Sequence, residues 1–133
     1  MNRMTDYGIR AFFALVLFGL IPACKGSNSN STPPAFGGIT GGSSTVTSQA
    51  TLTWNAAVDY SGTGITYDVA WSLTSGMEDF AAAGFSAAGI TTVGTTITGL
   101  TSKDTYYFMV RAVDGNGVAD ANSPEPEFAI TIQ

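Results

Sequence analysis

A chain of 133 residues has room for one domain and a short extra segment, and its lone cysteine and lack of histidine exclude a disulfide framework, a zinc site and a Cys/His nucleophile. The net charge of −5 understates the asymmetry: from Pro34 onward two cations, Lys103 and Arg111, stand against nine carboxylates, a net −7, which excludes a nucleic-acid partner and docking of this surface on anionic lipid. With 44 % hydrophobic and 11 % charged residues and 16 glycines, the composition is that of an all-β extracytoplasmic protein rather than a disordered one.

The chain opens with Arg3 and Arg10 ahead of an unbroken apolar run of eleven residues, 11–21. A bilayer-spanning helix needs about 20, so the run fits the apolar region of a secretory signal peptide. Ile21, Pro22, Ala23 and Cys24 follow, and together they resemble the bacterial lipoprotein signal, although Pro22 stands where a small or aliphatic residue is commoner. That resemblance implies a diacylglycerol on the Cys24 thiol, cleavage before it and acylation of the new N-terminus. Lys25 occupies the position where Asp marks inner-membrane retention in the enteric pattern, so the resemblance favours the outer membrane or cell surface. An ordinary cleaved signal peptide with Cys24 incidental is the alternative. Residues 25–33 are polar and of low complexity, a tether reaching about 15–20 Å on average. The expected organisation is a signal peptide over 1–23, lipidated Cys24 and tether over 24–33, and one domain over 34–133.

Within the domain, strand signals recur at sandwich-like spacing. Phe36 and Ile39, after a proline pair, predict a broken first strand near an edge. Ala50, Leu52 and Trp54 alternate with threonines, and residues 65–73 alternate over nine positions with Ile65, Tyr67, Val69, Trp71 and Leu73 on one side. Residues 77–89 are Ala/Gly-rich and predict a loop or a weak edge strand. Val93, Ile97 and Leu100 mark a further strand, with a bulge or turn at Gly94. Tyr106, Phe108, Val110 and Ala112 share one face of the next, and Phe128, Ile130 and Ile132 close the chain. Residues 61–64, 75–76, 114–117 and 123–124 between them carry turn chemistry.

These motifs jointly resemble a fibronectin type III domain over essentially all of residues 34–133. The family's core tryptophan matches Trp54, its Tyr-x-Val matches Tyr67 and Val69, and its Leu, Tyr and alternating apolar series matches Leu100, Tyr106, Phe108, Val110 and Ala112. Ser102 stands where that family often has proline. The resemblance implies a seven-stranded immunoglobulin-like β-sandwich; a cadherin-like or other immunoglobulin-like sandwich is the alternative, with nearly the same architecture. Trp54, Tyr67, Leu100 and Tyr106 are then expected in the core, and Trp71 either in the core or at an exposed sheet edge.

Chemistry is sparse. Catalysis needs a nucleophile or base held against a second polar group; the adjacent Glu78 and Asp79 point apart on an extended chain, and no hydrolase triad is available. No enzyme activity and no cofactor are expected. Tyr107, Met109 and Arg111 should point outward from the strand carrying Tyr106, and with Tyr60 they form a candidate interaction surface, since Tyr, Met and Arg are enriched in interfaces. The family topology brings Asp59 towards Asp114, Asn116 and Asp120 at one pole, an all-oxygen set of the kind Ca²⁺ takes; tight-turn chemistry accounts for the same residues. The expected function is that of a monomeric, lipid-anchored module at a bacterial envelope that binds a protein or a glycan. The alternatives are a structural spacer without a ligand and a calcium-dependent adhesin.

Overall fold

A computed structural model describes residues 32–133. The apolar run, Cys24 and all of the tether but Thr32 and Pro33 lie outside the described residues. Those described form seven strands and no helix: β1 (Ile39–Ser43), β2 (Gln49–Trp54), β3 (Ile65–Ser72), β4 (Ser86–Ile90), β5 (Gly94–Thr98), β6 (Thr105–Asp114) and β7 (Glu127–Thr131). They make two antiparallel sheets, one ordered β1-β2-β5 and the other β4-β3-β6-β7. The expected all-β, seven-stranded sandwich is the fold observed.

Alternation explains why these segments are strands and how they face. In β6, Tyr106, Phe108, Val110, Ala112 and Asp114 are buried while their neighbours are half-buried. In β2, Ala50, Leu52 and Trp54 are buried and Thr51 and Thr53 exposed. The inward rows of both sheets, with Tyr67, Val69 and Trp71 from β3, Ile97 from β5 and Ile130 from β7, form one continuous apolar core. A one-residue slip of β6 against β3 would turn Phe108 and Val110 outward, so the pairing of Phe108 with Trp71 and Val110 with Val69 is fixed by the core itself. Each large side chain so buried contributes about 1.5–3 kcal/mol. Trp54 packs on Tyr67 with ring centroids 5.3 Å apart, and Phe36 covers the other approach to Tyr67 at 5.4 Å.

Two tyrosine hydroxyls end inside the fold on backbone donors. The Ala57 amide donates to Tyr67 Oη at 2.9 Å, and the Thr101 amide donates to Tyr106 Oη at 3.2 Å. Each ring therefore fills the core while its polar tip satisfies a loop amide.

The boundaries differ from the sequence reading in two places. Ala35 makes only an isolated bridge with Val58, and β1 starts at Ile39. Gly94 begins β5 in regular register opposite Thr53, with no bulge there. Residues 77–89 combine the two forms expected of them, a loop whose end joins β4 at the edge of the four-stranded sheet.

Candidate interaction surface

The outer face of the four-stranded sheet carries Asp68, Ala70 and Ser72 from β3 beside Arg111, Met109 and Tyr107 from β6, paired in that order. Glu127 of β7 lies opposite Met109. Side chains alternate across strands, so this is the row that faces away from the core. It is only half open, because residues 73–85 fold back over it. Ala70, although on the outer face, is fully buried, and Tyr107, Met109 and Arg111 are half-buried.

Residues 73–85 make a detour rather than a tight connection between β3 and β4. They leave β3 after Ser72 and reach β7, where Ser75 Oγ donates to Glu127 Oε1 at 3.0 Å and the Gly76 amide donates to Glu127 Oε2 at 2.9 Å. They then come back over β6, where the Arg111 guanidinium carbon lies 4.4 Å from the centre of the Phe80 ring. The Trp71 amide donates to the Phe85 carbonyl at 3.0 Å, which starts the pairing with β4. Short turns hold the path between, with the Met77 amide on the Thr74 carbonyl and the Ala82 amide on the Asp79 carbonyl. The end of β3 and this strap line an open cavity of about 300 Å³, formed by Trp71, Ser72, Leu73, Met77, Asp79, Ala82 and Phe85. Trp71, otherwise part of the core, is 9 % exposed, whereas Leu73, Met77 and Phe85 are 52, 69 and 47 % exposed around it.

Charge around the strap is dominated by carboxylates. Arg111 donates twice to one oxygen of Asp68, Oδ2, from Nε at 3.1 Å and Nη2 at 2.9 Å, while Oδ1 accepts from the Gly89 amide at 3.1 Å. Both carboxyl oxygens of Glu78 are buried without a hydrogen-bond partner among the described residues. Burial raises the Glu78 carboxyl above its ordinary range, and the charge of Glu127 adds to the shift. Glu125, from the connection between β6 and β7, is pushed up to about 7 by burial and by the nearby charge of Asp120, against the opposing pull of Asn122 and Arg111.

The aspartates proposed from sequence as a cation site lie at the other end of the sandwich. Asp59 Oδ1 accepts from the Ser61 amide, the Ser61 hydroxyl and the Gly62 amide at 2.7–2.9 Å, and its Oδ2 accepts from the Gly64 amide at 2.8 Å. Asp114 Oδ1 accepts from the Asn116 and Val118 amides at 2.9 and 2.8 Å. These donors hold both carboxyls below their ordinary range: the Ser61 hydroxyl and Gly64 amide act on Asp59, the Val118 amide chiefly on Asp114. Asn116 is exposed. Asp120 turns elsewhere, accepting from the Ala112 amide at 2.7 Å and the Asn122 amide at 3.0 Å. Among the described residues, no group of three or more Asp, Glu, His or Cys stands close enough to hold a metal ion. The loops do meet: the Gly115 amide donates to Thr63 Oγ1 at 2.9 Å.

Trp54, Tyr67, Leu100 and Tyr106 lie in the core, and Tyr60 lies exposed on the loop after β2. Met77 and Phe85 escaped the sequence reading, and Leu73 entered it only as the end of a strand. A signal was there: three large apolar residues, Met77, Phe80 and Phe85, sit in a stretch read as a loop or a weak edge strand. Among the described residues no helix is long and apolar enough to cross a membrane.

A family model described as the fibronectin type III domain matches residues 33–128. Among solved structures, the chain is similar to a Fn3-like protein from Clostridium thermocellum, with 32 % identity over 75 % of this chain and 94 % of that one and a TM-score of 0.53. No curated protein shows significant similarity to it.

Proposed function

Because the chain belongs to the fibronectin type III family, we propose that it is a non-catalytic interaction module, held at a bacterial membrane through a lipid on Cys24, whose contact surface is the apolar cavity formed by the end of β3 and residues 73–85. The observation that carries this reading is the clustering of exposed Leu73, Met77 and Phe85 around a cavity of about 300 Å³. Apolar side chains scattered singly need no explanation, but a contiguous set around a concavity is the usual signature of a binding surface. Tyr107, Met109 and Arg111 then act mainly as the bed on which the strap lies. The partner is a protein or a glycan, and the module acts as a monomer.

The placement of the cavity supports the anchored reading. Ala35, close to the first described residue, bridges to Val58 on the loop before β3. The cavity lies beyond Trp71, at the opposite end of β3, and a strand of eight residues is about 25 Å long. A tether entering at one end would therefore present the cavity away from the membrane.

Site-specific photo-crosslinking in cells tests the contact surface. A photoreactive residue at Met77 or Phe85 should give a discrete adduct, and one at Thr51, exposed on the other sheet, should not. Equal labelling at all three positions, or none, would leave the module as a spacer. Metabolic labelling with a fatty-acid analogue tests the anchor, since the wild type should take up label and Cys24→Ala should not. Absence of label in both would make the chain a freely secreted domain.

A further inference from the structure

Residues 73–85 are strapped to the sheet at points that differ in chemistry. Ser75 and Gly76 donate to the two oxygens of Glu127, and Phe80 lies against Arg111. Between those points the strap inserts Glu78, whose two carboxyl oxygens are both out of solvent and complete no hydrogen bond among the described residues. The backbone amides of Gly76 and of Glu78 itself favour its charge, but burial and the second carboxylate, Glu127, outweigh them. The charges that act near it offer no relief. From β7 comes Glu127, whose oxygens already accept from the strap. From β6 comes Arg111, which is committed to Asp68 of β3 at 2.9 Å. The strap itself adds Asp79, next to Glu78 in sequence, while Asp120 and Glu125 of the connection before β7 act on each other. The other cation among the described residues, Lys103, sits in the turn before β6.

A proton on Glu78 turns one of its two oxygens into a donor directed at Glu127 and removes the repulsion between the two. Taking the cavity as the contact surface, we propose that residues 73–85 form a proton-latched strap: protonated Glu78 seats it on Glu127 and keeps the cavity assembled, and loss of that proton releases it. The direction follows from linkage. The seated state holds the proton more tightly than the released state, in which Glu78 is solvated. Seating is therefore complete at pH values below the ordinary range of a glutamic acid and weakens as pH rises through the elevated value of the seated form. Glu78 and Glu127 are 49 residues apart in sequence, so the latch couples two separate elements. Release would free Leu73, Met77 and Phe85 from their common cavity and open Ala70 and Met109 to solvent. A partner bound there would be held in acid and let go towards alkaline pH.

Hydrogen–deuterium exchange on the full chain between pH 4.5 and 8.5, corrected for intrinsic exchange, tests this without any partner. Wild-type protection at the Gly76, Met77 and Ala82 amides should fall roughly tenfold or more as pH rises, while amides of β6 stay protected. Glu78→Gln, neutral at every pH, should keep the strap protected throughout. The carboxyl ¹³C shift of Glu78 in the wild type gives a second readout, and its titration midpoint should coincide with the opening. A flat wild-type profile, a parallel fall in Glu78→Gln, or a Glu78 midpoint away from the opening would overturn the latch. So would loss of the pH dependence in Glu125→Gln alone. None of these outcomes bears on whether a partner binds, so failure of the latch and failure of the contact surface are separable.

Discussion

Tyr106 shows how much one side chain can carry in a small sandwich. Its ring is part of the core, and its hydroxyl accepts the Thr101 amide at the turn before β6. Tyr106→Phe keeps the ring and removes only the acceptor, and Thr101 is exposed, so water can partly replace it. The expected loss is about 1 kcal/mol in urea unfolding; a loss near that of a cavity mutant would mean the hydroxyl orders the whole turn. Phe108, fully buried at the centre of β6, has no such substitute. Phe108→Ala should cost about 3–5 kcal/mol in the same experiment, enough to remove much of a domain's net stability. Tyr106 and Phe108 could be placed from sequence because burial alternates strictly along β6. Asp120 could not. Its bond to the Ala112 amide turns a loop carboxylate inward, and nothing in local spacing separates it from Asp114, which caps its own turn instead.

At the scale of elements, the loops joining β2 to β3 and β6 to β7 are fitted to each other through Gly115. A Cβ there would lie 2.5 Å from the Thr63 carbonyl oxygen, a backbone atom that cannot rotate away. Gly115→Ala should therefore destabilise by about 1–3 kcal/mol and lower the melting temperature in calorimetry. An unchanged melting temperature would mean that the two loops move apart freely. The turn was legible as a turn, because Asp, Gly and Asn in succession have few other uses. That it is pressed against a loop more than fifty residues earlier was not, since close approach depends on how two hairpin ends meet. The strap over residues 73–85 was the least legible element. Its alanines and glycines show neither period two nor period 3.6, and its path is set by single contacts with Glu127 and Arg111. Sequence patterning reports repeated burial, and the strap has none to report.

For the whole molecule, the shifted carboxyl groups pull stability in two directions. Asp59 and Asp114 are held below their ordinary value of 3.8, so their contribution is present above that value and is lost as pH falls through the folded ones. Glu125, raised from 4.5 to about 7, works oppositely: its contribution is present below 4.5 and lost as pH rises towards 7. The urea midpoint should thus peak in mildly acidic solution, near pH 4–5, and fall on both sides. Glu125→Gln should lessen the fall between 4.5 and 7, leaving the part that Glu78 contributes, and keep the acid limb in place. A wild-type midpoint that climbs from pH 5 to 7 would contradict this balance. The net −7 of the domain acts in the same sense on the alkaline side, because self-repulsion grows as the last carboxyl groups ionise.

The two tryptophans divide the molecule optically. Trp54 is sealed between the sheets against Tyr67, and its emission should report only global unfolding. Trp71 lines the cavity, where an occupant or a shift of residues 73–85 changes the polarity around its indole. A Trp54→Phe protein would carry one fluorophore, placed where events at that end of the sandwich must pass. Its emission wavelength would then be a label-free gauge, usable in a titration before any partner has been identified.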